Sequence, residues 1–234
     1  MKFETLAIDN GIILAEAGLA PEPDWFDPEY WRARDAGETL GRGRGEAISV
    51  GASGEWVLRH YRRGGFPAHL LEDGYLWLGL ERTRPVRELR LLAILHERGV
   101  PVPRPVAVRV VRLGGVYRGD LISVRIRGAV TLAECAPSLD AGRWRDIGNA
   151  IGCFHRLGGW HADLNAHNLL LAPSGAWLVD LDRGRLVIPG CRAQSRNLGR
   201  LRRSLARLAL LPACTPGWLA LLEAWRQTRT GGGA

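Results

Sequence analysis

The segment His161 to Asn168, HADLNAHN, places Asp163 five positions before Asn168, and the apolar run AWLVDLDRGR then brings a further acid, Asp180. These residue types in this order suit phosphoryl transfer from a nucleotide. Asp163 can accept the proton of an attacking hydroxyl or orient that hydroxyl. The amide oxygen of Asn168 and the carboxylate of Asp180 are hard donors for the Mg2+ that neutralises a triphosphate. A histidine and an aspartate two positions apart mean little alone, because loop aspartates mostly make turns and caps; the ordered set carries the reading. His161 is expected to brace the loop through a hydrogen bond rather than to move a proton. His167 either touches substrate or caps the loop, and Asp182 is expected to pair with Arg183 or Arg185.

Such chemistry also needs a cradle and a cation for the phosphates. GRGRGEA, with Gly41, Gly43 and Gly45 ahead of a strand, can fold over phosphates and offer backbone amides. In a chain with 30 glycines the same stretch would otherwise be an ordinary hairpin turn. The next strand, in WVLRH, offers Arg59 where a lysine is usual; its planar fork is not interchangeable with an ammonium. An acid on the following helix should face that cation, and Glu88 is the candidate. The alternative for Glu88 is a solvent-facing pair with Arg84, Arg87 or Arg90.

These residues lie on elements that change character near Arg127 and Gly128. Before that point β-type runs dominate, at Ala47 to Gly51, Glu55 to Tyr61, Val102 to Leu113 and Val116 to Ile126, the last two separated by Gly114 and Gly115 as in a hairpin. One helix interrupts them, Pro85 to Arg98, with Val86, Leu89, Leu92 and Leu95 or Ala93 on one face and Gly99 and Pro101 as its stop. After Gly128 the pattern is helical. Leu139 to Leu157 should bury Trp144, Ile147, Ile151 and Phe154; short strands at Leu169 to Leu171 and Trp177 to Val179 flank a PSG turn. Helices from Ser195 to Leu211 and Pro216 to Arg229 follow, and the GGGA tail should fray. The expected fold is α+β and protein-kinase-like: residues 1–127 form a β-rich lobe with one helix that binds the nucleotide phosphates, and 128–234 form a compact helical lobe with the catalytic loop, the metal site and the acceptor side.

Composition narrows the setting. At 234 residues and 46% hydrophobic, the chain can bury a sizeable core. No signal peptide is expected, because the first 20 residues are interrupted by Glu4, Asp9 and Glu16, and no apolar run approaches the roughly 18 residues of a span. A cytoplasmic protein is therefore expected. Cys135, Cys153, Cys191 and Cys214 form no CxxC pair and should be reduced and buried. The net charge of +8 rests almost wholly on arginine, since Lys2 is the only lysine. An anionic partner is implied, a nucleic acid, a membrane surface or a phosphorylated substrate; no nucleic-acid motif is present, so nucleic acid is not expected. Arginines cluster in LRHYRRGG, with Arg59, Arg62 and Arg63, and in RNLGRLRRSLARL, with Arg196, Arg200, Arg202, Arg203 and Arg207. The second cluster is either a headgroup-binding helix or a plain solvated face. Trp25 and Trp31 either sit at an interface or staple the N-terminal segment onto the small lobe.

Taken together, LRHYRRGG, WHADLNAHNLLL, LVDLDRGR, RPVRELRLLAILHERGVPVPRPVA and NLGRLRRSL resemble the 3-deoxy-D-manno-octulosonic acid (Kdo) kinases of Gram-negative bacteria, within the lipopolysaccharide kinase group. The resemblance covers most of the chain, and an arginine at position 59 matches the group's pattern. It implies ATP as donor and phosphorylation of the 4-hydroxyl of Kdo on a lipid A precursor. It implies peripheral work at the cytoplasmic face of the inner membrane, on an anionic surface; no obligate protein partner is expected. Arg62 and Arg63 are then candidate contacts for the acceptor's anionic groups. An aminoglycoside- or choline-type phosphotransferase would share the loop but would not account for LRHYRRGG. A non-catalytic basic binding protein would make the three catalytic positions a coincidence.

Overall fold

The computed structural model describes residues 1–34, 37–40, 47–62 and 74–231. The expected glycine loop with Gly41, Gly43 and Gly45, Arg63 and the GGGA residues past Gly231 lie outside them. The chain forms two compact units, one of residues 1–93 and 104–125 and one of residues 94–103 and 126–234.

The first unit is built on an antiparallel sheet. Its strands are β1 (Phe3–Ile8), β2 (Gly11–Glu16), β3 (Thr39–Leu40), β4 (Ala47–Val50), β5 (Trp56–His60), β6 (Tyr75–Leu76), β7 (Pro105–Leu113) and β8 (Val116–Val124). They run in the order β1-β2-β7-β8-β5-β4-β3, with β6 also paired to β8. Strand alternation splits the β5 side chains between faces. Leu58 joins Ile13, Ile48, Val50, Ala107 and Ile122 in an apolar cluster, while Arg59 is set by its neighbours Ala47 and Leu121 onto the other face. The segment after β2 covers the apolar cluster: Phe26 and Trp31 are buried in it, and Trp25 packs on Trp56 with ring centroids 5.1 Å apart. Trp31 donates from Nε1 to the Trp25 carbonyl at 2.8 Å. Of the two readings of these tryptophans, stapling onto the small lobe is the one observed. The short helix α1 (Pro28–Arg32) is capped by Asp27, whose carboxylate accepts from the Glu29 amide.

Helix α2 (Arg84–Glu97) starts where Pro85 can sit without cost, in the first turn. Its Val86, Leu89, Leu92 and Leu95 are buried, as the spacing required. Pro85 would clash with any side chain at Gly119, so glycine there lets the helix lie close on β8. The segment after the helix belongs to the second unit: Val100 and Val102 are buried, and the Pro101 carbonyl accepts from the Leu178 amide at 2.9 Å.

The second unit comprises β9 (Val130–Thr131), α3 (Leu132–Cys135), α4 (Ala141–Arg156), β10 (Gly159–Trp160), β11 (Leu169–Ala172), β12 (Gly175–Leu178), β13 (Arg185–Leu186), α5 (Arg192–Arg207) and α6 (Leu211–Arg229). Asp140 caps α4 by accepting from the Arg143 amide, and Trp144, Ile147, Ile151 and Phe154 form its buried stripe. Helices α4 and α6 approach to backbone contact at Gly148, where an added Cβ would lie 2.3 Å from the Leu221 oxygen. Helix α6 begins one turn earlier than Pro216, which sits inside it; the Cys214 amide bonds back to Leu210, so the helix is under way before the proline. Among the cysteines only Cys214 is buried; Cys135, Cys153 and Cys191 are half-buried, and all four are free thiols. A small residue needs no full burial when its helix face sits at the edge of the core. No helix among the described residues is long and apolar enough to cross a membrane.

Candidate active site

The singled-out residues divide between the units. In the first, Arg59 on β5 and Glu88 on α2 meet: Arg59 Nη2 donates to Glu88 Oε2 at 2.5 Å. Glu88 is 3% exposed, which removes the alternative of a surface pair; Arg90, two positions on, bonds Glu81 instead. Tyr61 completes the group, donating from its hydroxyl to the same Oε2 at 2.5 Å and accepting from Arg59 Nη2 at 3.2 Å. Period-two spacing along the strand was the available signal for it, since 59 and 61 share a face. A buried carboxylate is stable only when its charge is matched and its lone pairs are used, and this one has a guanidinium and a phenol on one oxygen. The outcome is a cation held in a fixed direction on the sheet.

In the second unit the loop 161–168 is built from its own polar groups. The Asp163 amide donates to His161 Nδ1 at 3.0 Å, which leaves Nε2 as the protonated nitrogen, donating to the Val179 carbonyl at 3.0 Å. His161 is fully buried with both ring nitrogens in use. It braces the loop and has no nitrogen left to shuttle a proton. Asn165 ties the turn together: Nδ2 donates to Asp163 Oδ2 at 3.0 Å, while Oδ1 accepts from the amides of His167 at 2.8 Å and Asn168 at 3.1 Å. The Asn168 amide nitrogen donates to the Asp163 carbonyl at 2.9 Å. That bond fixes the side chain through its nitrogen and leaves its oxygen as an acceptor.

The β11–β12 hairpin brings the second acid to the same place. Leu169 pairs with Leu178, and the Val179 amide donates to the Asn168 carbonyl at 3.1 Å, so Asp180 emerges beside Asn168. Asp180 is exposed and has φ of +59°, a left-handed conformation that turns the chain sharply after the strand. Asn168 and Asp180 supply only oxygen donors, and no cluster of three or more His, Cys, Asp or Glu residues that would hold a metal is found among the described residues. This donor set fits Mg2+, which takes one or two protein oxygens and fills its octahedron with water and substrate phosphates.

Helix α5 supports the loop from below, a role that sequence reasoning missed. Asn197 Oδ1 accepts from the His161 amide at 3.1 Å and its Nδ2 donates to the His161 carbonyl at 2.6 Å. The Ser204 hydroxyl accepts from the Ala166 amide at 3.2 Å. Asn197 also meets His155 Nε2 at 3.3 Å, while Trp225 Nε1 donates to His155 Nδ1 at 3.0 Å. Burial, foremost, lowers the His155 pKa to about 4; protonating Nδ1 would also set two N–H donors face to face. Gln194, Asn197 and Ser204 lie on the buried face of α5 with Leu201, at helical spacing. In the first unit, Arg62 is exposed two residues past the end of β5.

Comparison with known proteins places these features. The lipopolysaccharide kinase (Kdo/WaaP) family model matches residues 29–225. A 3-deoxy-D-manno-octulosonic acid kinase of Stenotrophomonas maltophilia (strain R551-3) is 47% identical over 194 residues, 80% of this chain and 76% of the relative. Those of Xylella fastidiosa (strain M12) and Xanthomonas campestris pv. campestris (strain B100) are 48% and 47% identical, covering 78% and 83% of this chain and 74% and 76% of theirs. Among solved structures, WaaP in complex with acyl carrier protein matches with a TM-score of 0.51 at 15% identity, over 84% of each chain. A glucosamine kinase matches with the same score at 10% identity, over 99% of this chain and 82% of its own. The bilobal α+β, protein-kinase-like fold expected from the sequence is thus the observed one. The expectation of no obligate protein partner is corrected by the first of these structures, in which a protein of this fold carries a protein partner. Sequence could not have decided it, because non-obligate interfaces are about as apolar as any surface. With its family model spanning 29–225 and its relatives nearly half identical, the chain belongs to the lipopolysaccharide kinase (Kdo/WaaP) family.

Proposed function

We propose that the chain transfers the γ-phosphoryl group of ATP to Kdo on a lipid A precursor, at the 4-hydroxyl, working peripherally at the cytoplasmic face of the inner membrane. The observation that carries this reading is the convergence of Asn168 and Asp180 beside an Asp163 held by Asn165 and His161. In a chain nearly half identical to Kdo kinases, that constellation has one economical use. Asp163, exposed at the loop surface, receives the acceptor hydroxyl and orients it toward the phosphorus, taking its proton as the bond forms. Asn168 and Asp180 would hold Mg2+, which would neutralise the charge on the phosphates. Arg59, aimed by Glu88 and Tyr61, meets the nucleotide phosphates. Most of the rate gain comes from positioning and charge, as the loose transition state of phosphoryl transfer requires.

The test is purified protein with labelled ATP and three acceptor classes: Kdo-lipid A precursor, an aminoglycoside panel and a generic protein. Label in the Kdo of the glycolipid is the expected result. Transfer to an aminoglycoside, or none to the glycolipid, would reject the reading; label on another Kdo hydroxyl would reject the 4-position alone.

A further inference from the structure

The acceptor's acyl chains lie in a bilayer, so the enzyme must rest against it, and the interfacial role once open to Trp25 and Trp31 is gone: those rings pack within the small unit. Another apolar feature is exposed instead. Ile188, in the turn between β13 and α5, is 81% exposed; Leu186, at the end of β13, is 41% exposed, and exposed Pro189 follows. This turn is anchored. The Val187 amide donates to the Gly158 carbonyl at 2.7 Å, and the Gly190 amide donates at 2.6 Å to Oε1 of buried Gln194, whose Nε2 bonds the His155 and Gly159 carbonyls. Gly158 must be glycine for this, since a Cβ there would lie 2.3 Å from the Val187 oxygen. An isoleucine displayed on so well-tied a turn is held outward.

The charge around the turn is of one sign. From Arg183 to Arg207 the chain carries eight arginines and no acid. Arg183, Arg185 and Arg192 are exposed beside the apolar tip. Along α5, exposed Arg192, Arg196, Arg203 and Arg207 recur at spacings of four, seven and four, which is one stripe of the helix, away from the buried face of Asn197, Leu201 and Leu205. Exposed apolar side chains with a basic collar are the composition of a surface that enters the boundary between headgroups and acyl chains.

We propose that the Leu186–Pro189 turn and the arginine stripe of α5 form the surface that docks on an anionic lipid bilayer. Leu186 and Ile188 insert, and the arginines take lipid phosphates. The turn is tied to the residues that lead into the loop, through the Val187–Gly158 bond and the pairing of Leu186 with Gly159 and Arg185 with Trp160, so docking here brings the loop that bears Asp163 toward the bilayer surface. The proposal rests on the membrane-bound acceptor of the proposed function.

The test is co-sedimentation of the full chain with vesicles of phosphatidylethanolamine and phosphatidylglycerol. Ile188→Asp should lower the partition coefficient about 30-fold, the loss of one inserted aliphatic side chain. Arg192→Gln with Arg196→Gln should lower it about fivefold per arginine, the effect vanishing as salt is raised. Both variants should keep the wild-type melting temperature and wild-type turnover on a deacylated, water-soluble Kdo acceptor. Vesicle binding unchanged in Ile188→Asp would overturn the proposal, as would loss of turnover on the soluble acceptor, which would make the turn part of the acceptor site. Arginine variants that lose affinity for an acidic carrier protein while still binding vesicles would assign the stripe to a protein partner and also overturn it. Ile188-dependent vesicle binding by a protein without Kdo kinase activity would sustain the docking surface and reject the proposed function alone.

Discussion

Removing Arg59 should expose how the buried Glu88 depends on it. In Arg59→Met, Glu88 remains 3% exposed with only the Tyr61 hydroxyl as partner. Losing one member of a buried ion pair costs about 3 kcal/mol or more, because the other charge stays desolvated. In Glu88→Leu, Arg59 keeps its bond to the Tyr61 hydroxyl, is 23% exposed and can turn to water, so the cost should be nearer about 1 kcal/mol. The double variant leaves no buried charge and should cost about 1 to 2 kcal/mol, giving a coupling of about 2 to 3 kcal/mol. Urea unfolding of the four proteins measures this, with slopes compared to confirm that the unfolded states match. All three variants should also bind nucleotide more weakly, and Arg59→Lys should lose activity because a point charge cannot span the fork's contacts. If the two single costs add to the double within about 0.5 kcal/mol, the pair is not a coupled unit and the argument for an aimed cation fails.

Asp163→Ala should keep nucleotide binding and lower turnover by about two to four orders of magnitude, measured as label transfer to Kdo-lipid A precursor; unchanged turnover would remove Asp163 from the chemistry. Asp180→Ala should weaken the Mg2+-dependent part of nucleotide binding, read by titration calorimetry with and without the metal. For His155, the folded-state pKa of about 4 lies below the unfolded value near 6.5, so the unfolded chain binds the extra proton between them. Its contribution to stability is complete above about pH 6.5 and is lost as pH falls toward 4, by about 3 kcal/mol in all; unfolding curves across that range should show the slope, and His155→Gln should flatten it. Asn197→Ala removes two buried hydrogen bonds to the His161 backbone and should cost about 2 to 4 kcal/mol by thermal or urea unfolding, with turnover falling as the loop loosens.

What the sequence disclosed was what is local. HADLNAHN and the hairpin to Asp180 span 20 positions, and their polar groups bond mostly to one another, so spacing alone indicated the arrangement. The helix faces of α2 and α4 were legible for the same reason, as periodic apolar residues. The supports were not. Asn197 reaches His161 across 36 positions and Ser204 reaches Ala166 across 38, and nothing in a basic, arginine-rich stretch marks two of its polar residues as buried. The β1–β2 hairpin was passed over although Asp9 and Asn10 ahead of Gly11 are a hairpin turn signal; β1 is mostly exposed and lacks alternation, because it is an edge strand with only β2 beside it.

The left-handed backbone at Asp180 has a consequence for how this chain can change. A residue with a Cβ pays for φ of +59° in steric energy, of order 1 kcal/mol for aspartate, and glycine would not. Asp180→Gly removes that cost together with the carboxylate and the contacts it makes, and it loosens the unfolded chain, so the variant should lose Mg2+-dependent nucleotide binding without a large change in melting temperature. Asparagine adopts the same conformation readily, so a library screened by a folding reporter alone should return glycine and asparagine at 180 alongside aspartate and lose the carboxylate from many of its members.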